Sequence, residues 1–144
     1  MTKGPIKFEV YSKADCKVSQ KWTTFLQGLS PIDVCIPIEF NGPGKAYTPE
    51  DLFGSAVLNC LIGVFKGNCE KNNITFSDLE GKIEVSLNCC HTDNVSVIDH
   101  LEITINVKNA SDKKKAKMLL EKSIKECPIS NSVKSGKTYH INVD

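Results

Sequence analysis

Seven cysteines, Cys16, Cys35, Cys60, Cys69, Cys89, Cys90 and Cys127, are the side chains of this 144-residue chain best suited to covalent chemistry. A thiolate is nucleophilic, an oxidant turns it into a sulfenic acid, and a second thiol close by converts that acid to a disulfide. Two of the seven stand out by position. Cys60 lies in the middle of the most apolar segment, and Cys127 ends an amphipathic one, on its inward face and directly before Pro128. A cysteine on an apolar face is ordinarily a small core hydrophobe, so position alone assigns neither of them a reaction. The run Cys89-Cys90-His91 lacks the Cys-x2–4-Cys spacing of a metal site and has no partner pair, so no metal or cofactor is expected. Cys16, Cys35 and Cys69, like His100 and His140, have no partner that the sequence can name.

Composition narrows the setting of this chemistry. Apolar residues make up 40% and charged residues 24%, ordinary globular usage that excludes disorder, and the length suits one core, hence a single domain over residues 1–144. Met1 to Tyr11 mixes lysines with apolar residues and does not read as a signal peptide. The apolar run Leu52 to Phe65 includes Ser55 and Asn59 and reads as too short to cross a bilayer. The expectation is a cytoplasmic protein with no membrane partner, its cysteines reduced rather than forming a disulfide framework. Net charge is +1, and all 18 basic residues are lysines. Lys113 to Lys117 is offset by Asp112, Glu121 and Glu126, so it reads as a solvated helix face, and no nucleic-acid partner is expected.

The elements that must position the thiols follow from periodicity. Alternation at Ile6, Phe8 and Val10, from Val18 to Leu26, and at Ile32, Val34, Ile36, Ile38 and Phe40 predicts three half-buried strands. Thr48-Pro49-Glu50-Asp51 then carries helix-start signals: Thr48 as a cap, Pro49 at the first helical position, Asp51 to complete a capping box, and two acids at the positive end of the dipole. The helix predicted over 49–70 is apolar around most of its circumference and must be wrapped by protein. Gly54 and Gly63 weaken it but permit close approach of a neighbour, another subunit included. Strands through Ile83, Val85, Leu87 and through Leu101 to Val107 come next. A second helix opens near Asn109 to Asp112 and brings Ala116, Leu119, Leu120, Ile124 and Cys127 to one face. A closing strand at Tyr139, Ile141 and Val143 gives the order βββ-α-ββ-α-β, an α+β fold.

Two segments carry a resemblance. Tyr47-Thr-Pro-Glu-Asp-Leu-Phe-Gly-Ser-Ala-Val-Leu-Asn-Cys60 resembles the Pro-Glu-x-Leu helix of the OsmC/Ohr family, leading to its first cysteine, and Cys127-Pro-Ile-Ser-Asn-Ser resembles the family's second, Cys-Pro-x-Ser-Asn motif. The resemblance implies antiparallel sheets around a long buried central helix, an intertwined homodimer with its site at the interface, and reduction of organic hydroperoxides. It implies that Cys60 attacks the peroxide, that Cys127 resolves the sulfenic acid as a disulfide, and that a thiol reductant, dithiol or lipoyl in type, reopens it. A resolving pair needs its Cα atoms within about 7 Å.

Glu50 matches the family's active-site glutamate. It stands ten residues before Cys60, about 15 Å of rise along one straight helix, so within one chain the two cannot touch. Glu50 then either reaches Cys60 from a second subunit or shapes the site indirectly, unless it serves only the helix start. The sequence departs from the family at one point: family peroxidases pair this glutamate with an arginine, and here there is none. Lys17, Lys21 and Lys45 are the candidate substitutes, each lacking the planar fork of a guanidinium. Two functions therefore stand: a peroxidase acting on organic hydroperoxides, or an OsmC-like redox sensor or small-ligand binder without efficient turnover.

Overall fold

The computed structural model describes residues 4–88 and 95–144. They fall into two compact units, Met1–Leu52 and Phe53–Asp144. The Cys89-Cys90-His91 run lies outside the described residues.

In the first unit β1 (Val10–Lys13) pairs antiparallel with β2 (Trp22–Leu26), which pairs antiparallel with β3 (Ile32–Val34). A hydroxyl pair, Ser12 Oγ and Thr24 Oγ1 at 2.8 Å, ties the first two strands. Two expectations change here. Ile6 and Phe8 precede the strand, and β1 is exposed throughout instead of half-buried. The alternation from Ile32 to Phe40 yields only a three-residue strand, because Pro37 has no N–H to give a ladder and Ile38–Phe40 winds into a 3-10 turn. Asn41 ends that turn in the left-handed region at φ 65°, and a side chain on Gly42 would overlap the Ile36 carbonyl. Tyr47 bonds back to the backbone of Asp33 and Cys35 and leads into α1 (Pro49–Lys71).

The start of α1 is the reciprocal box that its sequence suggests. The Thr48 N–H donates to Asp51 Oδ2 (3.0 Å), and the Asp51 N–H donates to Thr48 Oγ1 (3.1 Å). The helix runs 23 residues, past the apolar stretch, and is long and apolar enough to cross a membrane by length and composition only. Its Val57, Leu61, Phe65 and Cys69 are instead buried in a protein core.

That core belongs to the second unit. β4 (Asp78–Asn88) pairs antiparallel with β5 (Val97–Lys108), and β5 pairs with β6 (Gly136–Val143). The last pairing is parallel, which corrects the expectation of wholly antiparallel sheets. α2 (Lys113–Glu126) carries the chain back across the sheet, as a crossover between parallel strands must. Asp112 caps α2 by accepting from the Lys115 N–H at 2.9 Å, and a short α3 (Pro128–Asn131) follows. Leu101, Ile103, Ile105 and Val107 of β5, each no more than 1% exposed, meet α1 and the buried Ala116, Leu119 and Leu120 of α2. Each such large side chain contributes about 1.5–3 kcal/mol. Gly81 of β4 lets α1 come close: a Cβ there would lie 2.9 Å from Leu58 and 3.3 Å from Ile62.

Candidate functional site

Cys60 and Cys127 reach the same place from different helices. Cys60 projects from the middle of α1, partly buried against the core, and Cys127 is the residue on which α2 ends and α3 begins, 1% exposed within that core. Cys60 packs against the buried cluster that contains Cys127, near enough to act on its thiol. Burial pushes the Cys127 thiol above its ordinary value, and the neighbouring Cys60 pushes in the same direction. The N–H groups of Ser130 and Ile129 point toward the Cys127 sulfur without forming a full side-chain cap, and they favour its thiolate. Burial prevails, so Cys127 is held as a neutral thiol. Cys69, also on α1, is likewise raised by burial alone.

Two polar contacts brace this pair. Ser130 Oγ and Tyr139 Oη lie 3.1 Å apart and tie α3 to β6. Asn68 of α1 donates to Ser123 Oγ (3.0 Å) and to Glu126 Oε2 (2.9 Å), tying α1 to α2. Sequence reasoning passed over both contacts. The one available signal was an amide, Asn68, inside a helix that is otherwise apolar on its inner side. Glu126 is held below the usual carboxylate range, chiefly by the bond from Asn68 and further by Lys122.

The other expected site residues lie in the first unit. Glu50 occupies the first turn of α1, and its Oε2 is buried with no hydrogen-bond partner among the described residues. α1 is unbroken between Glu50 and Cys60, so ten residues of helix separate them. Lys21 is paired with Asp33 at 3.2 Å. Lys45 sits at φ 61° in the segment before α1, and Lys17 follows Cys16 in a shallow cleft. In the second unit an open apolar cleft is lined by Phe53, Leu87, Val97, Ile98 and Val133, and neither cysteine is among its walls. His100 and His140 pair with Thr138 (2.9 Å) and Glu102 (2.8 Å) on the sheet.

Residues 42–142, which hold both cysteine segments, match the OsmC-like protein family. The chain belongs to that family. Solved structures of OsmC-like proteins superimpose on it over nearly the whole chain. An OsmC-like protein of unknown function from Vibrio cholerae is 15% identical with a TM-score of 0.81, covering 95% of this chain and 99% of its own. An organic hydroperoxide resistance protein from Legionella pneumophila is 20% identical with a TM-score of 0.76, covering 99% of each chain. Another organic hydroperoxide resistance protein, from Bacillus subtilis, is 20% identical with a TM-score of 0.69, covering 96% of this chain and 98% of its own. At these identities the likeness is one of fold. No curated protein matches the sequence.

Proposed function

We propose that this OsmC-like protein is a thiol-dependent peroxidase of organic hydroperoxides that works as a homodimer. In this reading the Cys60 thiolate attacks the O–O bond, the alkoxide leaves to be protonated to an alcohol, and Cys60 becomes a sulfenic acid. The Cys127 thiol then attacks that sulfur, one water leaves, and a Cys60–Cys127 disulfide forms. An external dithiol, lipoyl or otherwise, reopens it by exchange and is itself oxidised. Glu50 supplies its carboxylate from the second copy.

The observation that carries the reading is the adjacency of two thiols on separate helices in an apolar core. Family membership supports it, as do the relatives described as organic hydroperoxide resistance proteins. Glu50 adds a smaller support: a buried carboxylate oxygen without a donor is costly, and a donor from another chain relieves it. The test is oxidation with a stoichiometric alkyl hydroperoxide followed by peptide mapping. The expected product is the Cys60–Cys127 disulfide, and Cys60→Ser is expected to end hydroperoxide consumption. Undiminished consumption in that variant rejects the proposal.

The absence of arginine favours a second reading, an OsmC-like redox sensor or ligand binder with little turnover. The alkylation rate of Cys60 against pH separates the two. A midpoint near or above the ordinary ~8.5 leaves little thiolate and favours the sensor, whereas a depressed midpoint favours the peroxidase.

A further inference from the structure

We propose that Asn68 and Ser123 are positioning residues, a polar lock that holds α2 against α1 at the one register in which Cys127 faces Cys60. This rests on reading the two cysteines as a reacting pair. Asn68 is 8% exposed and Ser123 fully buried, in a seam whose other members include Leu61, Phe65, Leu119 and Leu120. The donors of the lock are all engaged. The two amide protons of Asn68 go to Ser123 Oγ (3.0 Å) and Glu126 Oε2 (2.9 Å), and the Ser123 hydroxyl donates to the Leu119 carbonyl at 2.6 Å. The Glu126 carboxylate can only accept, which fixes the orientation of the amide.

Spacing connects this lock to the thiols. Asn68 follows Cys60 by eight residues, about two turns further and roughly 80° round α1, and Ser123 precedes Cys127 by four, about one turn, so on each helix the polar residue and the cysteine fall within one broad inward stripe. The thiol pair and the polar pair are therefore successive contacts along one seam between α1 and α2. Leucine and phenylalanine contacts are non-directional and tolerate a slip or rotation of α2. The lock does not, because a slipped α2 takes both acceptors away from the buried Asn68 amide, while the Ser123 hydroxyl keeps its bond to Leu119 within α2. Buried polar groups are known to fix register in this manner at some cost in stability. The carboxylate at the rim, steadied by Lys122 at 3.6 Å, closes the network at the surface.

The test compares the wild-type chain with an Asn68→Leu/Ser123→Ala variant and with Ser123→Ala alone. Each is equilibrated in glutathione redox buffers, and the fraction of Cys60–Cys127 disulfide is read by peptide mapping to give the effective molarity of the pair. Melting is followed in parallel. The double variant is expected to melt within a few degrees of wild type while its effective molarity falls at least tenfold. A merely structural role would move the melting temperature and not the thiol equilibrium of the folded chain. Effective molarity within twofold of wild type in the folded double variant overturns the proposal. If that variant does not fold, Ser123→Ala carries the test: a severalfold fall supports the lock, and no change overturns it. A wild-type chain that forms no such disulfide overturns it as well. Glutathione exchange involves no hydroperoxide, so a wild type that closes the disulfide yet consumes no peroxide defeats the peroxidase reading and leaves the lock intact.

Discussion

At the scale of single residues, the chemistry turns on where charge is permitted. Burial holds the Cys127 and Cys69 thiols above their ordinary value, so the folded chain keeps protons that the unfolded chain gives up. Well below the ordinary thiol value of about 8.5 both states hold those protons and the neutral thiols cost nothing. As pH rises through the interval between the unfolded and folded values, the folded state binds more protons and stability falls. The urea midpoint is expected to drop between pH 8 and pH 10, and to drop less in a Cys69→Ala/Cys127→Ala variant. An equal drop in both chains would show that burial of these thiols has no part in it. Cys60 and Cys127, the cysteines of the proposed site, stand out in the sequence because each carries a local motif and a helical face. Asn68 was not, because a lone amide in an apolar helix says nothing of its partner until Ser123 and Glu126 are brought to it from 55 and 58 residues away.

At the scale of elements, local signals were read well and non-local ones poorly. Thr48 and Asp51 announce α1, and Asp112 announces α2, because a capping bond spans only three residues. The parallel course of β6 was missed, since strand direction depends on the crossover made by α2 rather than on any pattern within β6. The four residues of α3 are too few to show periodicity, although Pro128 after Cys127 is a helix-start signal in itself. The glycines test how α1 is packed. A methyl at Gly81 would crowd Leu58, Ile62 and Ile105, and Gly81→Ala is expected to cost about 1–3 kcal/mol in thermal or urea unfolding. A methyl at Gly63 would meet no described atom within 4 Å, so Gly63→Ala is expected to stabilise a single chain by about 1 kcal/mol through helix propensity. A loss at Gly63 instead would mean that a second copy packs on that face of α1.

At the scale of the whole molecule, the apolar surface left uncovered decides what else must be present. In the first unit Phe8 is 91% exposed, Leu29 71%, Ile6 70% and Tyr11 59%, and among the described residues β1 is an edge strand. Large apolar groups and a strand edge open to water are what the proposed second copy would cover, and it would also satisfy the alternation that made Ile6 and Phe8 look half-buried. The same argument explains why sequence could not place them: an apolar period reports that a face is covered and is silent on which chain covers it. Light scattering is expected to give twice the 15.9 kDa chain mass at micromolar concentration. On the proposed dimeric peroxidase, in which Glu50 serves the other copy, a Phe8→Asp/Tyr11→Lys variant is expected to shift toward the single-chain mass and to lose hydroperoxide turnover while Cys60 and Cys127 still close their disulfide under diamide. A wild-type chain that scatters as one copy, with full turnover, would remove the dimer and the role given to Glu50 together.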